Sequence, residues 1–210
     1  MGVIKQGILG GFSGKVAGVV GSSWKGIAVM KSLPLSVANP NTAGQQAQRG
    51  AMTQVVAAAR LLLASVIGPF WNKFAQKMSG YNMFVKTNIK AFTTAGFTNP
   101  SVFFSQRGSL INFAAISAQA VSGTSQITVQ WTDNTGVADA LSTDEGNIVY
   151  YNATQDYWGT QTNVSTRQTG GYTFLDATMN AADVLEVYVG ATRPDDSIVS
   201  DSFYAQVVVS

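Results

Sequence analysis

The chain has 210 residues, of which 46% are hydrophobic, and this is enough for one large domain or two small ones with hydrophobic cores. It contains no cysteine and no histidine, which excludes disulfides, thiolate metal sites and catalytic triads that depend on histidine. Only 11% of the residues are charged, against roughly 25% in ordinary soluble domains. A surface with so few charged residues indicates that other subunits cover part of it. The alternative is a monomeric protein whose β-strands present a neutral surface rich in Ser and Thr.

The charges are divided sharply along the chain. Residues 1–132 contain eleven Lys and Arg and no Asp or Glu, whereas residues 133–210 contain eleven acids and two Arg. The two segments therefore carry formal charges of +11 and −9, which the net charge of +2 hides. A division of this size favours contact with a partner of opposite charge.

Residues 1–41 are rich in glycine and in small and β-branched residues, and we predict a β arm followed by an extended connector. Its clearest element is a hairpin in which Lys15–Ser23 pairs with Ile27–Lys31 and turns near Lys25-Gly26. Glycine-rich strands pack poorly within one domain, so we expect the arm to add strands to a neighbouring molecule. The alternative is an ordinary hairpin that folds back on its own helices.

Residues 42–108 are predicted to form a helical subdomain. Apolar residues recur at helical spacing from Met52 to Ile67, which predicts a long helix over Thr42–Ile67 with its threonine as the N-cap. We expect Leu62 and Leu63 at the centre of its core and Gly68-Pro69 at its end. Two shorter apolar faces, Phe70–Met78 and Tyr81–Phe92, complete a predicted three-helix unit.

Residues 109–210 change to short runs of alternating apolar residues, which predict an immunoglobulin-like or fibronectin-type β-sandwich. The fold class is therefore α+β. The tyrosine at position 188 could make a corner hydrogen bond or lie on the surface of a strand. The predicted strands are Leu110–Ile116, Gln126–Thr132, Asn147–Asn152, Tyr172–Leu175, Val184–Ala191 and Phe203–Val209.

Several segments of the first half follow a pattern seen together in one family. They are Gly14-Lys15-Val16, Gly18 to Gly26, Asn39 to Thr42, Gln45, Gln48-Arg49 and Tyr81 to Lys86. Over about residues 5–92 the chain resembles an uncharacterised family found mainly in Bacteroidetes. The resemblance implies a shared architecture and a bacterial or phage source, and it implies no catalytic residues.

No motif in the sequence predicts catalysis, a cofactor or a metal ion. Asp133, Asp144-Glu145 and Asp195-Asp196 lie in predicted turns, but their spacing matches no calcium loop. Scattered acids do not establish the facing carboxylate pair of a glycosidase. Gly14-Lys15 lacks the Ser or Thr that completes a phosphate-binding loop. We therefore expect a protein that is not an enzyme and has no cofactor.

We expect instead a structural protein that assembles head to tail with copies of itself, as a phage virion or tail-like component or as the subunit of a bacterial surface filament. Other virion or surface proteins are further candidate partners. A basic surface on the arm of one copy would meet an acidic surface on the sandwich of the next. The predicted basic residues, with one aromatic neighbour, are Lys5, Lys15, Trp24, Lys25 and Lys31. The predicted acidic residues are Asp144, Glu145, Asp195 and Asp196.

The competing interpretation is that the acid-free half binds nucleic acid or a membrane surface. Its eleven basic residues form neither a cluster nor a recognisable reader motif, which favours assembly. The apolar segment 7–21 follows Lys5, but it contains Lys15 and many glycines and lacks a small-residue cleavage site. We expect synthesis in the cytoplasm without a standard signal peptide and a final location in a virion or at the cell exterior.

Overall fold

A computed structural model describes residues 3–4, 11–33, 36 and 40–210. The chain divides into two compact units, the first comprising Met1–Gln46 with Gln76–Met78 and the second comprising Ala47–Ala75 with Ser79–Ser210. The first unit contains one antiparallel sheet, and the second contains helices and three further sheets. The protein is thus a mixed α+β protein with antiparallel sheets, as predicted.

The first unit is built on a four-stranded sheet, here called the N-terminal sheet, whose strands are adjacent in chain order. A two-residue turn joins its last two strands, with Trp24 opposite Ile27. The turn residues Lys25 and Gly26 both have positive φ, 47° and 80°, as the tight type I′ hairpin turn requires. The predicted hairpin is therefore confirmed. The strands are β1 (Val3–Ile4), β2 (Phe12–Val16), β3 (Val19–Trp24) and β4 (Ile27–Ser32).

The first helix, α1, spans Ala43–Leu61. The predicted N-cap is confirmed, because the backbone N–H of Gln45 donates to Thr42 Oγ1 at 3.4 Å. The predicted end at Gly68-Pro69 is wrong. Helical geometry breaks at Leu62 (φ −88°, ψ 6°) and resumes as a π-helix and then α2 (Gly68–Trp71), whose first turn holds the proline without losing a needed N–H.

The buried face of α1 differs in detail from the predicted stripe. Ala51, Val55, Ala58 and Ala59 are buried, and Leu62 at the break is only 1% exposed. Met52 and Leu63, by contrast, are 45% and 48% exposed. The prediction that Leu63 lies at the centre of the core is wrong, because the change of direction after Leu62 turns the next side chain outward.

The two shorter predicted helices are also revised. Helix α2 ends at Trp71, so most of the predicted helix Phe70–Met78 is non-helical. The third helix, α3, spans Gly80–Asn88, and Ser79 is its N-cap, whose hydroxyl accepts from the N–H of Asn82 at 3.2 Å. The chain continues as a 3-10 helix over Ile89–Ala91, so the predicted element Tyr81–Phe92 is helical up to its last residue. It then forms a small hairpin of β5 (Phe92–Thr93) and β6 (Gly96–Phe97).

The predicted β-sandwich is confirmed. Its two antiparallel sheets have the orders β11-β8-β7 and β10-β9-β12-β13 and share one hydrophobic core. Strand β10 was absent from the prediction, and β7 begins four residues later than predicted. The strands are β7 (Ala114–Ala120), β8 (Gln126–Thr132), β9 (Glu145–Asn152), β10 (Tyr157–Gln161), β11 (Gly171–Leu175), β12 (Val184–Thr192) and β13 (Phe203–Val208).

The outer face of the four-stranded sandwich sheet is covered by the helices. Val149 and Tyr188 point away from the sandwich core and join a second core with Leu62, Trp71 and Phe84. The Tyr188 hydroxyl donates to the carbonyl of Pro100 at 2.7 Å, so this side chain is buried and is not a surface residue. A separate three-helix subdomain is not confirmed, and the predicted domain boundaries at residues 41/42 and 108/109 stay predictions.

One cross-strand pair in the sandwich depends on a glycine. Gly159 of β10 lies directly opposite Tyr150 of β9. A Cβ added at Gly159 would lie 2.0 Å from the tyrosine ring, so the ring occupies the space that a side chain would need. The ring also stacks on Phe174 at 5.1 Å between centroids. Because Gly159 has no side chain, the Tyr150 ring can lie against β10 and still stack on Phe174 in the core.

Candidate assembly site

Three of the four strands of the N-terminal sheet, β2, β3 and β4, bury almost no side chains. In β2, β3 and β4 only Gly21 is buried, and every residue of β4 is exposed. Trp24 is 54% exposed and Met30 is 67% exposed. A small sheet with apolar side chains open on its faces is poorly stabilised alone, which makes it a candidate for coverage by another chain.

The register of the sheet brings predicted site residues to one face. Lys15, Val20 and Lys31 lie side by side across three strands. Trp24 and Ile27 lie two pleats away on the same face, because side chains alternate along a strand. This face is therefore apolar with basic residues at its far end.

Of the two other predicted basic residues, one lies in a turn and one lies outside the described residues. Lys25 lies in the β3–β4 turn and donates from its ammonium group to the carbonyl of Met78 within the first unit. The predicted site residue Lys5 lies outside the described residues.

Asp144 is not part of an acidic surface, which corrects the prediction. Its side chain is fully buried between two arginines, with Arg167 Nη2 at 3.1 Å and Arg193 Nε at 3.3 Å. The backbone N–H of Leu141 also donates to it at 2.9 Å. Arg167 is fully buried as well. The carboxylate is internally satisfied and holds the loops at this end of the sandwich together.

The other three predicted acids lie at the same end of the sandwich and reach its surface. Glu145 begins β9 opposite Thr192, and Asp195 and Asp196 lie in the turn that follows β12. Hydrogen bonds from the hydroxyl and N–H of Ser197 lower the pKa of Asp195. Lys73 Nζ lies 3.6 Å from Asp196 Oδ2, so part of the acidic charge is balanced locally.

A second group of acids, not singled out from the sequence, lies at the opposite end of the sandwich. It consists of Asp156, Asp176, Asp183 and Glu186. Among the described residues none of the four forms an ion pair. The only two arginines of residues 133–210 are both bound to Asp144 at the other end. The negative charge of this end is therefore not balanced by the sandwich.

Three of these acids are well supplied with hydrogen bonds. Tyr150 and Tyr157 hydroxyls donate to Asp176 at 2.7 and 2.8 Å. Asp183 accepts from the amide of Asn152 at 2.8 Å, and Glu186 accepts from the Tyr204 hydroxyl at 2.7 Å. Burial by itself raises the pKa of Asp176, but bonds from Thr178 and the two tyrosines outweigh it and lower that pKa.

Asp156 differs from the other three because it opens onto a cleft. The cleft, of about 500 Å³, lies between α1, the β5–β6 hairpin and the β9–β10 hairpin in the second unit. Asp156 is the one charged residue among the described residues that line it. The lining residues that matter for its chemistry are Gln54, Leu61, Phe97, Tyr151, Asp156 and Trp158.

The sequence contained a signal for this cleft. The segment between the aromatic pairs Tyr150-Tyr151 and Tyr157-Trp158 is short and polar, as hairpin loops are. It ends at Asp156, which has a φ of 55°, a left-handed conformation that Asp and Asn tolerate best among residues with a side chain. Reading this segment as a hairpin would have predicted β10 and the aromatic cluster together.

Neither a metal centre nor a straight membrane span is found in the described part of the chain. No group of three or more Asp and Glu there could hold a metal ion. No single helix there is long and apolar enough to cross a bilayer; α1 and the segment Leu63–Trp71 would qualify together by length and composition, but they meet at an angle of 72°.

The fold and its surfaces define an α+β protein that joins an exposed basic sheet to a β-sandwich core. The chain belongs to the family of unknown function DUF6266, which matches residues 11–206. The prediction of an uncharacterised family is thus confirmed, and the match continues through the sandwich. The Bacteroidetes distribution of that family stays a prediction. No curated protein matches the chain significantly in sequence.

Solved structures resemble about half of the chain. A family 76 glycoside hydrolase from a bovine Bacteroides thetaiotaomicron strain is 15% identical with a TM-score of 0.37, covering 48% of this chain and 20% of that protein. The FN1–FN3 domains of chicken CNTN1 give 14% identity and a TM-score of 0.40, covering 50% and 35%. An Fn3-like protein from Clostridium thermocellum is 16% identical with a TM-score of 0.34, covering 48% of this chain and 93% of that protein. These likenesses assign no function to this chain.

Proposed function

We propose that this protein is a non-enzymatic structural subunit that assembles head to tail with copies of itself. The assembly would be a virion or tail-like component of a phage, or a filament at a bacterial surface. The observation that carries the proposal is that β2, β3 and β4 of the N-terminal sheet expose apolar side chains and bury only Gly21. Burial of those side chains against another copy would supply the interior that the sheet lacks.

Two further features support contact between copies. Strand β4 is an edge of its sheet, and no described strand pairs with its outer N–H and C=O groups, which could therefore pair with a strand of another chain. The acid-free half and the acidic sandwich carry opposite charges, which would orient one copy relative to the next. A heterologous contact of this kind repeats into a ring or a filament.

Light scattering of the purified chain against salt and protein concentration tests the proposal, and electron microscopy identifies rings, tubes or fibres. Salt should slow assembly more than it dissolves the finished polymer, since salt screens charges but not strand pairing or apolar burial. Deleting residues 1–31 should abolish assembly. Changing Lys5, Lys15 and Lys25 to Glu should slow it.

A matched pair of variants separates the sheet from general surface hydrophobicity. Trp24→Ser removes an exposed apolar side chain from the N-terminal sheet, whereas Met52→Ser removes one from α1. We expect only the first to weaken assembly. A chain that stays monomeric at low salt and high concentration would refute the proposal, and a monomer that binds DNA or anionic vesicles would favour the competing function.

A further inference from the structure

We propose that the cleft beside Asp156 binds a lysine side chain supplied by the N-terminal sheet of a second copy of this chain. This inference rests on the proposed self-assembly and names the contact that would make it specific. The sequence predicted the acidic contact surface at the end of the sandwich that carries Glu145, Asp195 and Asp196. This inference places the contact at the opposite end, at Asp156.

The cleft offers an aromatic wall to a ligand. The rings of Tyr151 and Trp158 lie 4.8 Å apart between centroids at an angle of 40°. Phe97 packs against both, at 5.1 Å from Tyr151 and 5.2 Å from Trp158. Trp158 is only partly buried, so its ring is accessible from the cleft. Faces of Trp and Tyr rings attract ammonium and guanidinium groups through their quadrupole.

Asp156 supplies the charge that such a group needs. The Tyr151 hydroxyl donates to its Oδ1 at 2.7 Å, which fixes the carboxylate beside the aromatic wall. Among the described residues none donates a hydrogen bond to its Oδ2, which leaves that atom available to a ligand. The side-chain amide of Gln54, partly buried on the facing side of the cleft, likewise has no hydrogen-bond partner among those residues.

The rim suits the stem of a long basic side chain. Leu61 is 70% exposed at the edge of the cleft. The methylene groups of a lysine could cover it while the charged end reaches Asp156, as such side chains commonly do on apolar surfaces. No Lys or Arg is among the described residues that line the cleft, so none of these residues competes with the incoming cation.

Charge complementarity identifies the occupant as a second copy. The end of the sandwich that carries Asp156 holds four acids without an ion pair within the described residues. The N-terminal sheet presents Lys15 and Lys31 on an exposed face with Trp24, and residues 1–132 contain no acid that would repel Asp156. Docking this face would bury apolar surface and balance the charge at once.

Mixed-isotope crosslinking of the full chain tests the contact. Equal amounts of unlabelled and ¹⁵N-labelled protein are allowed to assemble, and a carbodiimide joins carboxylates to nearby lysines. We expect peptides in which Asp156 of one copy is joined to Lys15, Lys25 or Lys31 of a copy with the other label. Mass spectrometry distinguishes these from links within one copy.

Two variants measure how much the site contributes. Asp156→Asn keeps a residue that tolerates the positive φ but removes the charge, and we expect about tenfold weaker association. Asp133→Asn removes an exposed carboxylate at the other end of the sandwich and should leave association unchanged.

If the chain assembles but Asp156→Asn associates like wild type, or Asp156 is linked only within one copy, the cleft contact is refuted while the proposed function stands. If the chain does not assemble at all, both are refuted.

Discussion

The guanidinium carbon of Arg167 lies 4.8 Å from the centre of the Phe113 ring, which itself stacks on Trp131 at 4.4 Å. The same guanidinium donates to the carbonyl of Ile111 at 2.9 Å and to Asp144. The buried guanidinium group of Arg167 therefore holds three segments together: the residues before β7, the β8–β9 loop and the segment before β11. Stability at this end depends on charge and not on apolar packing alone.

Replacing Arg167 should leave Asp144 as a buried charge with only Arg193 beside it. We expect Arg167→Met to lower the free energy of unfolding by about 3 kcal/mol or more, the usual cost of breaking a buried pair. Urea denaturation measures it. Arg193→Met is the control, since its side chain is 24% exposed and its loss should cost less. An equal effect of the two variants would mean that Arg167 is not the principal partner of Asp144.

The bend at Leu62 allows a test with adjacent residues of the same kind. Leu62→Asp should bury an unpaired charge and cost several kcal/mol, whereas Leu63→Asp should change stability by less than about 0.5 kcal/mol, because Leu63 is half-exposed. Thermal melting compares them. If the Leu62 variant melted like wild type, the helices would not share a core with the sandwich.

The sandwich expressed alone, as residues 109–210, should still give a β-type circular dichroism spectrum and a cooperative melt. It should melt below the full chain and bind a hydrophobic dye, because Val149 and Tyr188 lose the helices that cover them. The full chain serves as the reference for both measurements. An unfolded spectrum would show that the sandwich depends on the helices and that the predicted boundary at residue 108/109 is wrong.

Alkaline pH should destabilise the fold through its tyrosines. Burial, with the hydrogen bond to Glu186 and its negative charge, raises the pKa of Tyr204 to about 12. Burial also raises the pKa of Tyr150, Tyr151 and Tyr188. The unfolded chain loses these protons from about pH 10, so the stability is present below that pH and is lost as pH rises toward the folded values. Urea unfolding between pH 9 and pH 12 should show the loss, and a flat profile would contradict it.

Much of the fold could be predicted because its signals are local. The Lys25-Gly26 turn, the Thr42 cap and most sandwich strands follow from residue type and spacing. The break at Leu62 could not be predicted, since the apolar spacing continues through it. Leu62 and Val66, on either side of the change of direction, share a core with Val149 of the sandwich, a contact distant in sequence. The burial of β12 on both faces also depends on the helices, although its sequence is largely apolar apart from Glu186 and Thr192, as in strands covered on both sides.

The candidate site was predictable only in part. Exposed lysines on a glycine-rich hairpin follow from the sequence, and the structure places Lys15 and Lys31 on one face. The burial of Asp144 could not be predicted, because its partners Arg167 and Arg193 are 23 and 49 residues away in the chain. An acid in a turn has the same sequence signature whether it faces solvent or an arginine. Distant pairing thus decides which carboxylates remain for a partner.

The contact between Tyr150 and Gly159 constrains how this family can vary. A side chain at position 159 would collide with the ring, so any relative with a larger residue there should carry a smaller residue at position 150. Either change alone would be disfavoured, since one produces a clash and the other a cavity beside Phe174. The two positions should therefore covary across an alignment, and that covariation would locate the β9–β10 hairpin in members of the family whose structures are not known.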